Sequence, residues 1–446
     1  MSDEGALAAS VGAMMGELRG ELAELISIPS IAGPDRPHEP ILAAHDRVAA
    51  LLSDAGVEEA EPFDLPDASP LVTGRIPAPD GAPTVLLYGH YDVVPAGDED
   101  AWLTPPFEPV ERDGAIYGRG SADSKANVIA HVGALRAWEG RPPVGIEILI
   151  EGQEELGSSL NDMPPGGLDR FACDAILVAD SGSVRPGVPT LTIALRGVAQ
   201  ATVEVRTLQS PKHSGQYGGA APDALLALIR ALSSLQDDHG DVAVAGLLRD
   251  EWVGAPQDEA EFRELAEVLP GVPLTGTGDV ATRIWSAPAV TVTGLDALPV
   301  SGALNAVPAR ARARVSLRVH PAQEAAEAQR LLVEHLARAL PFGIEVAVEP
   351  GEIGDGFSAD PSGPAYSAAR GALSAAWGAQ TVLVGSGGSI PVVSSLQRAI
   401  PQAEVLVLGA CDGHSNIHGP NERVLIDELE RSIVAEADFF ARFAAA

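Results

Sequence analysis

Six side chains able to hold a cation or move a proton stand at the ends of predicted elements: His90, Asp123, Glu154, Glu155, Asp180 and His418. Thr84–Tyr88 is an unbroken apolar and β-branched run, which predicts a buried strand. It stops at Gly89 and presents His90 and Asp92 on one side of an extended backbone, with Tyr91 on the other. This is the pattern of a metal ligand and its support: one ring nitrogen binds the cation while Asp92 takes the other N–H and fixes the tautomer. Gly145–Ile150 is a second predicted strand and empties into Glu151–Glu155. A third, Asp174–Ala179, ends in Asp180.

Zinc accepts both imidazole nitrogen and carboxylate oxygen. His90, Asp180, Glu155 and His418 supply donors for two such ions, and Asp123 can bridge them with its two oxygens. His414, in the same HSNIHGPNE segment, is an equal candidate on spacing alone. Adjacent residues on a turn point different ways, so one glutamate of the Glu154–Glu155 pair can bind metal while the other faces a water. The spare one, Glu154, is then a general base toward a water shared by the two ions, which lower its pKa.

Three further stretches are candidates for substrate contact. His213 lies among glycines in Lys212–Gly219, KHSGQYGG, where it is accessible and able to polarise a carbonyl. Arg310, Arg312, Arg314 and Arg318 share one face of a strand, and one of them can clamp a carboxylate bidentately. Gly385–Pro391, GSGGSIP, joins a strand to a helix, so its amides can meet an anion. The remaining histidines, His38, His45, His131, His239, His320 and His335, lie in helical or polar segments and read as surface.

The elements that must carry these residues alternate. Residues 5–28 place Leu7, Val11, Met14, Leu18, Leu22 and Leu25 at helical spacing up to Pro29, and Ile41–Ala55 is a helix closed by Gly56. Strands follow over Leu71–Ile76 and Thr84–Tyr88, and a helix over Ser124–Trp138 opens after the GRGSADSK loop. The fold class is therefore α/β with a mostly parallel central sheet, whose ligands bind off the carboxyl ends of the strands. From about Thr190 the strands alternate instead, Leu191–Arg196 and Ala199–Thr207 first, as in an antiparallel sheet with one wet face. Residues 190–353 are read as a smaller α+β domain inserted into the first, which comprises 1–189 and 354–446. The first domain resumes with helices Pro364–Trp377 and Pro391–Ile400, strands Thr381–Val384 and Glu404–Gly409, and a closing helix from about Glu422.

Two domains suit a chain of 446 residues with 46% hydrophobic content. A formal net charge of −33 argues against nucleic acid and anionic membranes as partners. No run approaches the roughly 20 apolar residues of a membrane span. The acidic start, MSDEGALAAS, lacks a basic n-region, so a cytoplasmic protein is expected. The cysteines, Cys173 and Cys411, indicate no disulfide framework. Lysine occurs only at Lys125 and Lys212, both inside the unusual stretches.

Taken together, GHYDVVP, YGRGSADSK, EGQEELGS, Asp180, KHSGQYGG, SLRVHP, GSGGSIP and HGPNE resemble the M20 metallopeptidase family, and look closest to its dipeptidase branch of carnosinase-like enzymes. The match runs in order from about residue 20 to the end. The resemblance implies two zinc (or manganese) ions on the α/β domain, and a ferredoxin-like lid that also forms a homodimer. It implies His90, Asp123, Glu155, Asp180 and His418 as metal ligands, favouring His418 over His414. Asp92 would support His90, and Glu154 would be the base. His213 would be an oxyanion donor reaching a neighbouring subunit's site. Asn305, Arg318 and Ser389 would hold the substrate, with Arg318 on its free carboxylate. The implied activity is hydrolysis of a dipeptide beside a free C-terminal carboxylate. The alternative is another amide hydrolase of the family, an N-acyl amino acid deacylase or carboxypeptidase. Where the family commonly has GRG-x-x-DDKG, this chain has Asp123-Ser124-Lys125-Ala126-Asn127, which keeps the bridging position.

Overall fold

The computed structural model describes residues 3–59, 69–158, 160, 167, 169–340, 343–344, 346–388 and 390–446. Of the predicted site residues, Ser389 alone lies outside them. In chain order the principal elements are α1 (Asp3–Ile26), α2 (Glu39–Asp54), β1 (Val72–Ile76), β2 (Thr84–His90), β3 (Val110–Arg112), β4 (Ala115–Tyr117), α3 (Lys125–Ala137), β5 (Gly145–Glu151), β6 (Ala175–Ala179) and β7 (Thr190–Leu195). They continue with β8 (Gly197–Arg206), β9 (Lys212–His213), α4 (Ala224–Ser233), β10 (Ala289–Asp296), β11 (Ala306–Val307), β12 (Arg310–Val319), α5 (Ala325–Arg338) and β13 (Val346–Gly354). The chain closes with α6 (Pro364–Trp377), β14 (Val382–Ser386), α7 (Pro391–Ala399), β15 (Glu404–Leu408), β16 (Arg423–Leu425) and α8 (Ile426–Ala444).

The chain forms two compact units, residues 1–193, 359–384 and 392–446 in one, and 194–358 with 385–391 in the other. In the first, the central sheet has the order β1-β5-β2-β6-β15-β7. β5, β2, β6 and β15 are parallel, and β1 and β7 are antiparallel neighbours at the flanks. The central strands are apolar without interruption because both faces are covered: six of the seven residues of β2 and all of β6 are buried. Register sets His90 opposite Glu151, Tyr88 opposite Val178 and Leu408 opposite Ala179. The carboxyl ends of β2, β5 and β6 therefore line one edge. Helices α1, α3, α6 and α8 pack on one another beside this sheet, burying Leu18, Leu22 and Leu25 of α1 completely. Each such side chain contributes about 1.5–3 kcal/mol.

The second unit is a four-stranded antiparallel sheet in the order β10-β12-β8-β13. With α4 and α5 between its strands, this is the βαββαβ ferredoxin-like arrangement. On β12, Ala311, Ala313, Val315, Leu317 and Val319 are buried under the helices. The arginines at 310, 312, 314 and 318 take the other face, as period two requires.

Two local expectations change, and one hairpin comes in addition. The closing helix begins at Ile426 rather than near Glu422, because Arg423–Leu425 pairs as a strand with β4 and buries Val424 against the first unit's core. The β3–β4 hairpin turns at Asp113-Gly114, both with positive φ (52° and 77°), which is the Asp-Gly signature of a tight hairpin. His131 and His320 are buried, not surface. His131 fits the fully buried helix α3 because Nδ1 meets Glu436 Oε1 at 2.8 Å and Nε2 meets the Tyr88 carbonyl at 3.2 Å. Burial opposes the charged ring, but Glu436 outweighs it and raises the His131 pKa. Cys173 and Cys411 are both buried and free. No helix among the described residues is long and apolar enough to cross a membrane.

Candidate metal centre

The strand-end residues of the first unit converge into two donor clusters that share one carboxylate. His90, Asp123 and Asp180 form one, and Asp123, Glu155 and His418 the other, with ligand atoms within 4.8 Å of one another in each. His90 Nε2 lies 3.0 Å from Asp123 Oδ1 and 3.2 Å from Asp180 Oδ1. His418 Nε2 lies 3.1 Å from Asp123 Oδ2 and 3.1 Å from Glu155 Oε2. Asp123 thus gives one oxygen to each group. Neither cluster includes His414. His418 is held at φ 63°, a strained left-handed conformation of the kind that gathers at functional sites.

Asp92 is fully buried, and its part is wider than support of His90. Its Oδ1 is 3.4 Å from His90 Nδ1, and its own carbonyl oxygen is closer to that nitrogen, at 3.1 Å. The carboxylate accepts the N–H groups of Glu154 and Glu155, both at 3.1 Å. It therefore fixes the Glu154–Leu156 turn and with it the directions of the two glutamates. Glu155 enters a donor cluster and Glu154 does not.

The donor chemistry fits a pair of divalent cations: carboxylate oxygens and imidazole nitrogens in two groups around a bridging acid. Electrostatics point the same way. Burial, then the Asp180 charge, push Glu154 up to about 9, and burial pushes Asp180 up to about 6. Hydrogen bonds donated to Asp123 and Glu155 hold His418 up at about 10. Burial would raise Asp123 as well, but its bonds to His418 and His90 outweigh it and keep the acid below the usual range. Four carboxylates in a partly dry pocket carry excess negative charge, which cations relieve.

The second unit holds the predicted substrate residues. β9 pairs with β11, setting His213 opposite Ala306, and the Asn305 carbonyl accepts the Ser214 N–H at 2.9 Å. His213 and Asn305 are therefore neighbours, and both are exposed. Arg318 lies on the arginine face of β12, half-buried, and burial lowers its pKa. Burial, with Arg318 nearby, also lowers Arg196 to about 10. Gly385 of the GSGGSIP loop abuts Trp285, where an added Cβ would stand 2.6 Å from the tryptophan Cβ.

The sequence matches the model of Peptidase family M20/M25/M40 over residues 86–445. The chain belongs to this peptidase family. It is 41% identical over 431 residues to a cysteinylglycine-S-conjugate dipeptidase of Corynebacterium striatum, covering 95% of this chain and 94% of that one. It is 28% identical to the human Beta-Ala-His dipeptidase, over 85% of this chain and 80% of the relative. The crystal structure of human carnosine dipeptidase 1 superposes over 100% of both chains with a TM-score of 0.81 at 24% identity, a likeness of fold.

Two residues of this M20 chain escaped assignment from the sequence. Lys125 is fully buried and donates from Nζ to the carbonyl oxygens of Leu25 and Ile28, both at 2.8 Å, closing the end of α1. Its position just after Asp123 and the scarcity of lysine were the available signals. Glu422 is also fully buried, and the only hint of it was its place in HGPNE.

Proposed function

We propose that this chain is a metal-dependent dipeptidase that hydrolyses a peptide bond next to a free C-terminal carboxylate. The observation that carries this reading is the pair of donor clusters joined by Asp123, with the half-buried Glu154 beside them and outside both. The dipeptidases among the relatives support it. His90, Asp123 and Asp180 would hold one zinc or manganese ion, and Asp123, Glu155 and His418 the other. Bound there, the ions supply a lowered water pKa and a polarised scissile carbonyl. Glu154 takes the proton of the attacking water and later delivers it to the leaving amine. Asp92 holds Glu154 and Glu155 to these separate tasks through their N–H groups. His213 donates to the oxyanion, and Asn305, Arg318 and Ser389 hold the substrate. In this reading the first unit carries the reaction, the second is the lid and dimerisation domain, and the protein works as a cytoplasmic homodimer.

The test is a panel of free dipeptides, N-acetyl amino acids and longer peptides, assayed on chelator-stripped protein before and after Zn²⁺ or Mn²⁺ is restored. Turnover of free dipeptides that vanishes with the metal and returns with it is the expected result. Full activity of stripped protein refutes the reading, and preference for N-acetyl amino acids or longer peptides replaces it with a deacylase or carboxypeptidase.

Substrate polarity gives a second expectation. Arg318→Ala should raise KM and lower kcat/KM for free dipeptides far more than for C-terminally amidated ones, because a guanidinium fork pairs with a carboxylate and not with an amide. Equal losses on both substrates would leave Arg318 an ordinary charge of the β12 face.

A further inference from the structure

The HGPNE segment ends in a residue to which the proposed reaction gives no task. Glu422 is a fully buried carboxylate, and its side chain bonds to the loop that carries Asp123. Its Oε1 accepts the N–H groups of Ala122 at 2.9 Å and Asp123 at 3.0 Å. Its Oε2 accepts the Gly120 N–H at 3.0 Å and Arg119 Nη1 at 2.6 Å. The main chain reciprocates, with the Gly118 N–H donating to the Glu422 carbonyl at 3.0 Å. A buried carboxylate is costly unless its oxygens are satisfied, and four donors, one of them charged, satisfy this one.

The geometry of these bonds bears on the metal centre. Three N–H groups converging on one anion fix the peptide planes on both sides of Ala122, and the Asp123 side chain leaves from that fixed backbone. Asp123 must give one oxygen to each donor cluster, at 3.0 Å from His90 and 3.1 Å from His418, so the direction of its side chain depends on this backbone. Glu422 also closes the segment that carries His418. Just beyond it, Arg423 pairs with Tyr117, which ties that segment to the strand leading into the Asp123 loop. One carboxylate thus joins the loop of the bridging acid to the loop of His418. His90 and Asp180 depend on it less: His90 ends β2 and pairs with Glu151, and Asp180 follows directly on β6 with its N–H donating to the Leu408 carbonyl at 3.1 Å.

We propose that Glu422 is a positioning residue for the metal centre, setting Asp123 relative to His418, so that the ion between Asp123, Glu155 and His418 depends on it more than its neighbour does. This rests on the reading of the two clusters as metal sites. The test is equilibrium titration of chelator-stripped protein with Zn²⁺ against a chromophoric chelator, with the Tm of the metal-free protein measured alongside. Wild-type protein is expected to take up two ions. Glu422→Gln turns one acceptor into an N–H₂ group facing backbone N–H groups. In this variant one ion should bind nearly as in wild type and the other about 10–100-fold more weakly, the usual loss when a group supporting a ligand is removed. Glu422→Asp keeps the charge and should recover part of that loss. It also carries the test where the Gln variant does not fold, with one of the two ions selectively weakened. A purely structural role would lower the Tm of the metal-free variants and leave both affinities unchanged, which overturns the proposal. Equal weakening of both ions overturns the selectivity claimed for Glu422. Wild-type protein that takes up no pair of ions refutes the metal reading itself, and this inference with it.

Discussion

Glu154→Gln is expected to lower kcat by at least ~10²-fold on free dipeptides while uptake of two divalent ions stays unchanged. The substitution is close to isosteric and leaves the backbone alone, so the Glu154 and Glu155 N–H groups still meet the Asp92 carboxylate. Neither donor cluster includes Glu154, so both keep their full set of ligand atoms. What is lost is an acidic side chain able to accept a proton without surrendering a cation. Burial first, and then Asp180, already disfavour a charge on Glu154, so a neutral glutamine suits the position. The measurements are metal content of the reconstituted variant and single-turnover hydrolysis, which separates the chemical step from binding. Loss of an ion in this variant would reverse the roles of Glu154 and Glu155. Unaltered kcat would remove the general base from the mechanism.

Much of this centre was legible because it is built from strand ends. An apolar run fixes where β2 stops, and period two then sets His90 and Asp92 on one side and Tyr91 on the other. Tyr91 does turn away, its hydroxyl donating to the Pro70 carbonyl at 2.6 Å. Parallel pairing brings the ends of β2, β5 and β6 to one edge, so separated motifs meet without knowledge of the loops. The antiparallel sheet of the second unit was legible for a similar reason, since alternation on β8 and β12 marks a sheet wet on one face.

What spacing could not show was contact across distant segments. Asp92 was read as the partner of the histidine two residues before it. Its carboxylate also spans to Glu154 and Glu155, which only the pairing of β2 with β5 brings near. Glu422 stands before a helical run and read as its first turn, but strand pairing with β4 and its bonds to residues 119–123 override that local preference. His131 read as surface because a histidine on a helix usually has a wet face available. α3 has none, every residue from Lys125 to Leu135 being buried, so its polar side chains must find partners inside.

Mixing two inactive variants, Glu154→Gln and His213→Ala, is expected to restore activity if the proposed homodimer shares its sites. His213 is exposed and belongs to the second unit, while Glu154 belongs to the first. An oxyanion donor needs only the right distance from the developing charge, so a second copy of the chain can supply it. Twofold symmetry makes the loan reciprocal. Each homodimeric variant then lacks one essential group in both sites. In a mixed dimer both defects fall in one site, and the other combines an intact Glu154 from one chain with an intact His213 from its partner. Random exchange of equal amounts makes about half the dimers mixed, each with one sound site of two, so roughly a quarter of wild-type activity should return. Exchange is followed independently by mass-tagging one variant, and wild-type metal content in both variants excludes rescue by metal transfer. If His213 serves the site of its own chain, every site in every dimer keeps a defect. A fully exchanged mixture that remains inactive therefore confines each site to a single subunit.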